Sequence, residues 1–354
     1  MIVREDGSTT LKSKEVFMKQ FNVISILFFL SISFCLTGVS LGAETGTCYN
    51  CPPEWADWGT QLKAIKENLG IEVPHDNKNS GQTLSQLIAE KNNPVADVAY
   101  FGVTFGILAK EAGVVAPFKP AKWNDIPAGL KDPEGYWFTI HSGTVGLFVN
   151  KDALGGAPVP KSWADLLKPA YKGMVGYLDP TSAAVGYTAA IGMNIALGGT
   201  LDNLTPAIDY FKKLKENKPL VPKQTSYARV LSGEIPILFD YDFNAYRGKY
   251  KDKANVEFVI PTEGTIMAPY VMCLVKNSPK PENAKKILDF TLSDKGQAVW
   301  ANAFLRPVRP SAMSSEAAAK FLPASEYARA KFIDYKKMAD IQKAFNERYQ
   351  NEVR

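Results

Sequence analysis

Short apolar runs alternate with amphipathic stretches from about Thr47 onward, the pattern expected of a parallel sheet covered by helices. A weak first strand over 47–51 is followed by a predicted helix over 54–69, where Trp55, Trp58, Leu62, Ile65 and Leu69 recur at helical spacing. Gly70 ends it. A strand over 71–73 precedes a helix over 80–91, capped by Ser80 with Leu84, Leu87 and Ile88 inward, and stopped by Asn93-Pro94. The pattern then gives a strand over 97–101 and a short helix over 104–112.

A linker-like stretch rich in Pro and Gly covers 117–136, and apolar residues return over 137–140 and 144–149. The first crossing between two domains is placed here. Beyond it the sequence predicts a helix opening at Ser162, a strand over 173–178, and a helix over 185–197 that is apolar on most sides and therefore buried. An amphipathic helix over 204–216 and a shorter one over 227–232 lead to strands over 235–239, 256–260 and 267–275. A helix over 281–292 and a Lys- and Ala-rich helical tail over 315–354 close the chain. The return to apolar strands after a long excursion predicts a second domain inserted into the first.

Met18-Lys19, an apolar run over 23–36 and the small residues Ser40, Gly42 and Ala43 read as a secretory signal cleaved near Gly42 or Ala43. The run is shorter than the roughly 20 residues a membrane span requires. Residues 1–17 are charged and unpatterned, and read as an over-extended start ahead of Met18. Phe34 directly before Cys35 argues against a lipid anchor on that cysteine. The 354-residue chain holds 41 basic and 36 acidic residues. Removing the leader takes Arg4, Lys12, Lys14 and Lys19 against Glu5, Asp6 and Glu15, which leaves a net charge of +4. The remaining lysines are scattered among acids, without the basic stripe of a nucleic-acid binder.

Cys48, Cys51 and Cys273 survive cleavage, an odd number that leaves at least one thiol unpaired. Cys48-Tyr-Asn-Cys51 has the spacing of a redox pair, but Pro52-Pro53 stand where a thioredoxin-type site continues into a helix, so a local structural disulfide is expected. His75 and His141 are the only histidines, and no spacing supplies a metal cage. The segment from Gly233 to Arg247 carries the most concentrated chemistry. Its apolar strand delivers Asp240, Tyr241, Asp242 and Tyr246 to a strand end, where α/β sheets expose ligand-binding groups.

Several stretches in order resemble one family. Ser162-Trp-Ala-Asp-Leu-Leu-Lys-Pro-Ala-Tyr-Lys-Gly173, Gly233-Glu-Ile-Pro-Ile, Pro261-Thr-Glu-Gly264, Asn283-Ala-Lys-Lys-Ile-Leu-Asp-Phe290 and Arg306-Pro-Val-Arg-Pro310 are similar to signatures of the exported solute-binding components of ABC importers. The branch is the one with polyamine, ferric-iron and phosphonate binders. The resemblance implies an α/β, two-lobed periplasmic binding protein of type II, each lobe a helix-covered mixed sheet, joined by a two-segment hinge that closes around one solute. Lobe 1 is then expected at 44–137 plus 262–312, and lobe 2 at 138–261 plus 313–354. It further implies a periplasmic location, an importer permease as partner, a monomer, and no cofactor.

A closing site takes half its contacts from each lobe. Candidates in the first lobe are Glu54, Trp55, Ser80, Gly81, Phe101 and Thr104, with Asn79 beside them. In the second they are Ser142, Thr144, Thr181, Ser182, Asp240, Tyr241 and Asp242, with Asp179, while Glu263 is expected at the second hinge crossing. Carboxylates beside Trp55, Phe101 and Tyr241 suit an amine-bearing, polyamine-like solute. The alternative is a phosphonate or other organophosphate anion held at the helix starts around Asn79-Ser-Gly81 and Thr181-Ser182, although these residues also suit plain capping. Ferric iron fits less well, because iron-binding relatives carry adjacent tyrosines where this chain reads Asp-Tyr-Asp-Phe. A carboxylate-based enzyme on the same fold is the rival of another class. The sequence has no Gly-x-Ser-x-Gly, P-loop or His-Glu-x-x-His to support it.

Overall fold

The structure is a computed structural model and describes residues 44–222 and 226–354. The expected signal peptide and start lie outside the described residues. In chain order come β1 (Glu44–Thr45), β2 (Cys48–Tyr49), α1 (Trp58–Leu69), β3 (Ile71–Glu72), α2 (Ser80–Ala89), β4 (Val98–Gly102), α3 (Val103–Glu111), β5 (Val115–Ala116) and β6 (Phe138–Asn150). The middle holds β7 (Val175–Gly176), α4 (Ala184–Ala196), α5 (Thr205–Glu216), α6 (Tyr227–Leu231), β8 (Ile237–Tyr241), α7 (Asp242–Tyr246), β9 (Val256–Val259) and β10 (Thr265–Val275). The remainder is α8 (Pro281–Leu292), α9 (Asp294–Asn302), β11 (Arg306–Pro307), α10 (Ser315–Ala318), α11 (Ala324–Tyr327), β12 (Ala330–Lys331), α12 (Tyr335–Asp340) and α13 (Gln342–Glu352).

The strand order is β2-β4-β10-β6-β8-β7, with β5 and β12 also on β10, and β9 and β11 also on β6. The sheet is mixed, as the family resemblance implied, and not the all-parallel sheet that the apolar pattern by itself suggested: β2/β4 and β7/β8 are parallel, while β4, β10, β6 and β8 run antiparallel in succession. Long strands buried on both faces read as continuous apolar runs, so periodicity does not separate the two cases. β6 is one strand rather than the two expected, and it changes partners midway. Phe138 to Thr144 pair with β10, whereas Val145 to Asn150 pair with β8 and β9. Gly146 just past the switch is a matter of space, since a Cβ there would lie 2.4 Å from the Val259 carbonyl oxygen.

Other departures have local causes. α1 begins at Trp58, not at 54, because Ala56 and Asp57 both adopt left-handed backbone (φ 51°) after Pro52-Pro53. Gly70, also left-handed, ends it as expected. The cap of α2 is Asn79, not Ser80: the Asn79 side chain accepts from Gln82 N and the Gln82 side chain accepts from Asn79 N, a full capping box. The tail is broken rather than continuously helical. Pro323 and the pairing of β12 with the start of β10 interrupt it, and Asp334 caps α12 afresh. Cys48 and Cys51 are disulfide-bonded, and Cys273 is a buried free thiol. No helix among the described residues is long and apolar enough to cross a membrane.

Candidate functional site

Three helix starts meet at one point. The Ser80 hydroxyl at the first position of α2 accepts from Gly102 N at 3.1 Å, and Gly102 is the N-cap of α3. A Cβ on Gly102 would stand 3.4 Å from Ala184 Cβ, the first residue of α4. Neither α3 nor α4 has a side-chain cap. Their first turns are nonetheless buried, through Val103, Thr104 and Phe105 in one and Val185 and Gly186 in the other. Helix starts of this kind carry unsatisfied N–H groups and partial positive charge, which is where anions bind.

Thr104, Tyr241 and Thr188 share with Gly102 and Ala184 the wall of a small cavity of about 10 Å³, closed below by Met267, Ala268 and Pro269 of β10. A wide groove of about 1340 Å³ lies beside it, between α2 and α3 on one wall and α12 and α13 on the other. Gly81, Thr181 and Ser182 line that groove. The loop carrying Thr181 is shaped by Asp179, which accepts from Thr181 N (2.9 Å) and its hydroxyl (2.8 Å) and is paired with Arg354. Thr181 and Ser182 are not caps of α4; its N-cap is Ala183.

Asp240 and Asp242 turn away from solvent into internal networks. Asp240 accepts from Tyr241 N at 2.8 Å and from Asn244 Nδ2 at 2.9 Å. Burial pushes its carboxyl up to about 7, with the charge of Asp242 adding to the shift and the two hydrogen bonds opposing it. Asp242, completely buried, accepts from Thr144 N (2.9 Å), Phe243 N (3.0 Å) and the Tyr327 hydroxyl (3.0 Å). Burial raises it to about 6 against those bonds and the nearby Arg306. Tyr327 in turn accepts from the Tyr246 hydroxyl at 2.6 Å, which accepts from Leu322 N. Asp242 thus fastens the tail to β6 at Thr144, the residue beside the partner switch.

The remaining candidates are spread out. Trp55 packs edge-on to Tyr241 and Phe243 across centroid distances of 6.3 and 5.4 Å, and Arg247 Nη1 donates to the Glu54 carbonyl at 2.6 Å. The Glu54 side chain is exposed. Phe101 is fully buried in β4, and Ser142 sits on β6 opposite Pro269 and Arg306. Both Glu263 oxygens accept backbone N–H groups, from Trp163 at 3.1 Å and Ala164 at 3.0 Å, so this carboxylate caps the Ala164–Leu167 turn. His141 is neutral: burial lowers it to about 3, and Nε2 lies 2.8 Å from the Tyr100 hydroxyl. Sequence reasoning missed Gly102, Ala184 and Thr188 at the cavity, and Arg306 and Tyr327 beside Asp242.

Residues 93–340 match the family described as bacterial extracellular solute-binding protein. The chain belongs to this family. It is 25% identical to an ABC transporter periplasmic-binding protein of Sinorhizobium fredii, over 88% of this chain and 87% of that one. A Salmonella typhimurium protein named for 2-aminoethylphosphonate binding is 27% identical over 72% of this chain and 75% of its own length. The fold matches the periplasmic binding protein AfuA of Actinobacillus pleuropneumoniae, solved with fructose-6-phosphate, at a TM-score of 0.77 and 24% identity, covering 87% of this chain and 98% of that one. The chain is a two-lobed type II solute-binding protein of ABC transporters, as the sequence led us to expect.

Proposed function

We propose that this protein captures an organic phosphonate or phosphate ester between its lobes in the periplasm and presents it to the permease of an ABC importer. The observation that carries the reading is the junction of α2, α3 and α4, where two buried helix starts lack a side-chain acceptor. A dianionic head placed there would accept their N–H groups, each helix adding roughly 0.3–1 kcal/mol and up to ~2 when partly buried. The Salmonella relative's name points to the same chemistry. An amine-first solute has weaker support, because Asp240 and Asp242 are already engaged by Asn244, Thr144 and Tyr327.

The hinge in this reading is the partner switch between Thr144 and Val145 of β6 together with the start of β10. Lobe 1 is then close to 44–137 plus 262–312 and lobe 2 close to 138–261 plus 313–354, with the first crossing inside β6. Trp55, Gly81 and Thr104 would meet Thr181, Ser182 and Tyr241 across the cleft.

The test is a thermal-shift and calorimetric panel on the mature chain, with methylphosphonate, 2-aminoethylphosphonate, phosphate esters, spermidine, amino acids and ferric iron. Saturable stabilisation by a phosphonate or phosphate ester, with no ligand consumed, is expected; at a hundredfold excess over Kd it amounts to about 2.7 kcal/mol. Stabilisation by spermidine alone would refute the anion, and product formation would move the protein into the enzyme class.

A further inference from the structure

Residues 52–57 run from the Cys48–Cys51 disulfide into α1 and carry Trp55. The stem of this loop is fixed within lobe 1. Besides the disulfide, Asn50 donates through Nδ2 to the Tyr100 carbonyl at 2.7 Å and through its backbone N–H to Asp76 Oδ1 at 2.9 Å. The loop beyond the stem is thinly supported. Its backbone bonds close local turns, such as Trp55 N to the Pro52 carbonyl and Gly59 N to the Pro53 carbonyl, both at 3.1 Å. Ala56 and Asp57 both stand in left-handed backbone, a strained conformation for residues with a Cβ that persists where other contacts impose it.

Such contacts come from the span assigned above to lobe 2. Arg247 Nη1 donates to the Glu54 carbonyl at 2.6 Å, a charge-assisted bond, and the Trp55 ring stands edge-on to Tyr241 and Phe243. Arg247 is itself aimed. It opens a π-helical turn over 247–251 directly after α7, a kind of distortion found often at functional places. Its guanidinium lies over the Tyr227 ring, 4.9 Å from the centroid, and its Nε stands 3.9 Å from the Asp252 carboxylate, to which the Tyr227 hydroxyl also donates. A preset cation of one lobe thus grips a backbone carbonyl of the other. Tyr241, on which Trp55 rests, is also a wall of the small cavity at the three-helix junction. A contact made only with the lobes together favours the closed form alone, so it slows release more than it speeds capture.

We propose that Arg247 is a positioning residue for solute capture: it clasps the 52–57 loop from across the cleft, so that Trp55 shuts over Tyr241 and the junction behind it. This rests on the anion reading above, which puts the solute at that junction. Hydrogen exchange of the mature chain without solute, and stopped-flow dilution of its methylphosphonate complex, test the clasp. In Arg247→Gln the amides of 52–59 are expected to exchange about tenfold faster or more, while those of α2 keep the parent rate. Release of methylphosphonate speeds about tenfold, with association within about threefold of the parent. Trp55→Ala speeds release to a similar extent, and the double variant adds little to either single one, as residues that act through one another do. Arg247→Lys keeps a cationic donor and recovers most of the loss. Unchanged exchange or unchanged release in Arg247→Gln, or effects of the two substitutions that simply add, overturns the clasp and leaves the head reading standing. A parent that does not bind methylphosphonate overturns the head reading and the capture role with it. Circular dichroism melting of each variant separates loss of the clasp from loss of fold.

Discussion

Replacing Asp240 by Asn separates a carboxylate that holds the fold from one that holds the solute. Asp240 is only 3% exposed and its carboxyl is pushed up to about 7 from 3.8, mainly by burial. Because the folded state holds this proton more tightly than the unfolded chain, its contribution to stability is full below about pH 4. It is lost as pH rises toward 7. A shift of about three units corresponds to about 4 kcal/mol in total, of which roughly 2–3 kcal/mol falls between pH 5 and pH 8. Asn is nearly isosteric, keeps an acceptor for Tyr241 N, and requires only that the Asn244 amide turn over to restore its bond. It does not titrate. The variant should therefore gain on the parent as pH rises, with the difference in unfolding free energy growing by roughly 2–3 kcal/mol from pH 5 to pH 8. Urea unfolding at four pH values, followed by tryptophan fluorescence, measures it. Calorimetry at pH 7 should find solute affinity within about twofold of the parent. A pH-independent difference would refute the burial argument, and abolished binding in a folded variant would return Asp240 to the site.

Three further outcomes follow from the same geometry. Gly102→Ala places a methyl 3.4 Å from Ala184 Cβ and 4.0 Å from the Ser80 hydroxyl, contacts the fold tolerates, yet it fills the junction; the melting temperature should hold while affinity for a phosphorus anion falls about tenfold or more, a cost of about 1.4 kcal/mol or more, and an unchanged Kd would put the anion elsewhere. Glu263→Ala strips the acceptor from Trp163 N and Ala164 N; chemical denaturation should show a loss of about 1–2 kcal/mol with affinity untouched, and weakened binding at full stability would contradict the capping role. Replacing Cys48 and Cys51 together by Ser opens a very short loop, so calorimetric unfolding should fall by about 2 kcal/mol on the chain-entropy account, and a much larger loss would mean the pair does more than close its own turn.

Most elements were legible because periodicity and breakers acted locally. The predicted helix over 281–292 is α8 to the residue, and Gly70 stops α1 where a left-handed residue is needed. Illegible features depended on distant partners. Nothing between Trp137 and Val149 says that one strand changes partners midway, since the switch is decided by β8, β9 and β10 arriving from later in the chain. Nor does the tail's Lys- and Ala-rich composition disclose that Ala330 and Lys331 will extend onto β10. Local helix preference lost there to an unpaired strand edge.

The candidate site shows the same division more sharply. Asp240 and Asp242 attracted attention because charge at a strand end usually faces a ligand, but Asp240 is engaged locally by Tyr241 and Asn244, and Asp242 by Thr144, 98 positions away, and Tyr327, 85 positions away. A carboxylate's partners at that separation are invisible to pattern. The helix starts were readable in principle. Where α2, α9 and α12 open with Asn79, Ser293 and Asp334 as caps, α3 and α4 open on Gly102 and Ala183, residues with no side chain able to accept an N–H bond. Among other helices without a side-chain cap, α5 and α8 begin at exposed residues open to water, while at the buried start of α7 the Asp242 carboxylate accepts from Phe243 N. A helix that starts without a cap inside an apolar stretch leaves its N–H groups facing something other than water or side chain. On the proposed reading, small residues at a buried strand-to-helix junction mark the anion's place better than the acidic cluster does, because they mark donors that no side chain of the fold accepts from.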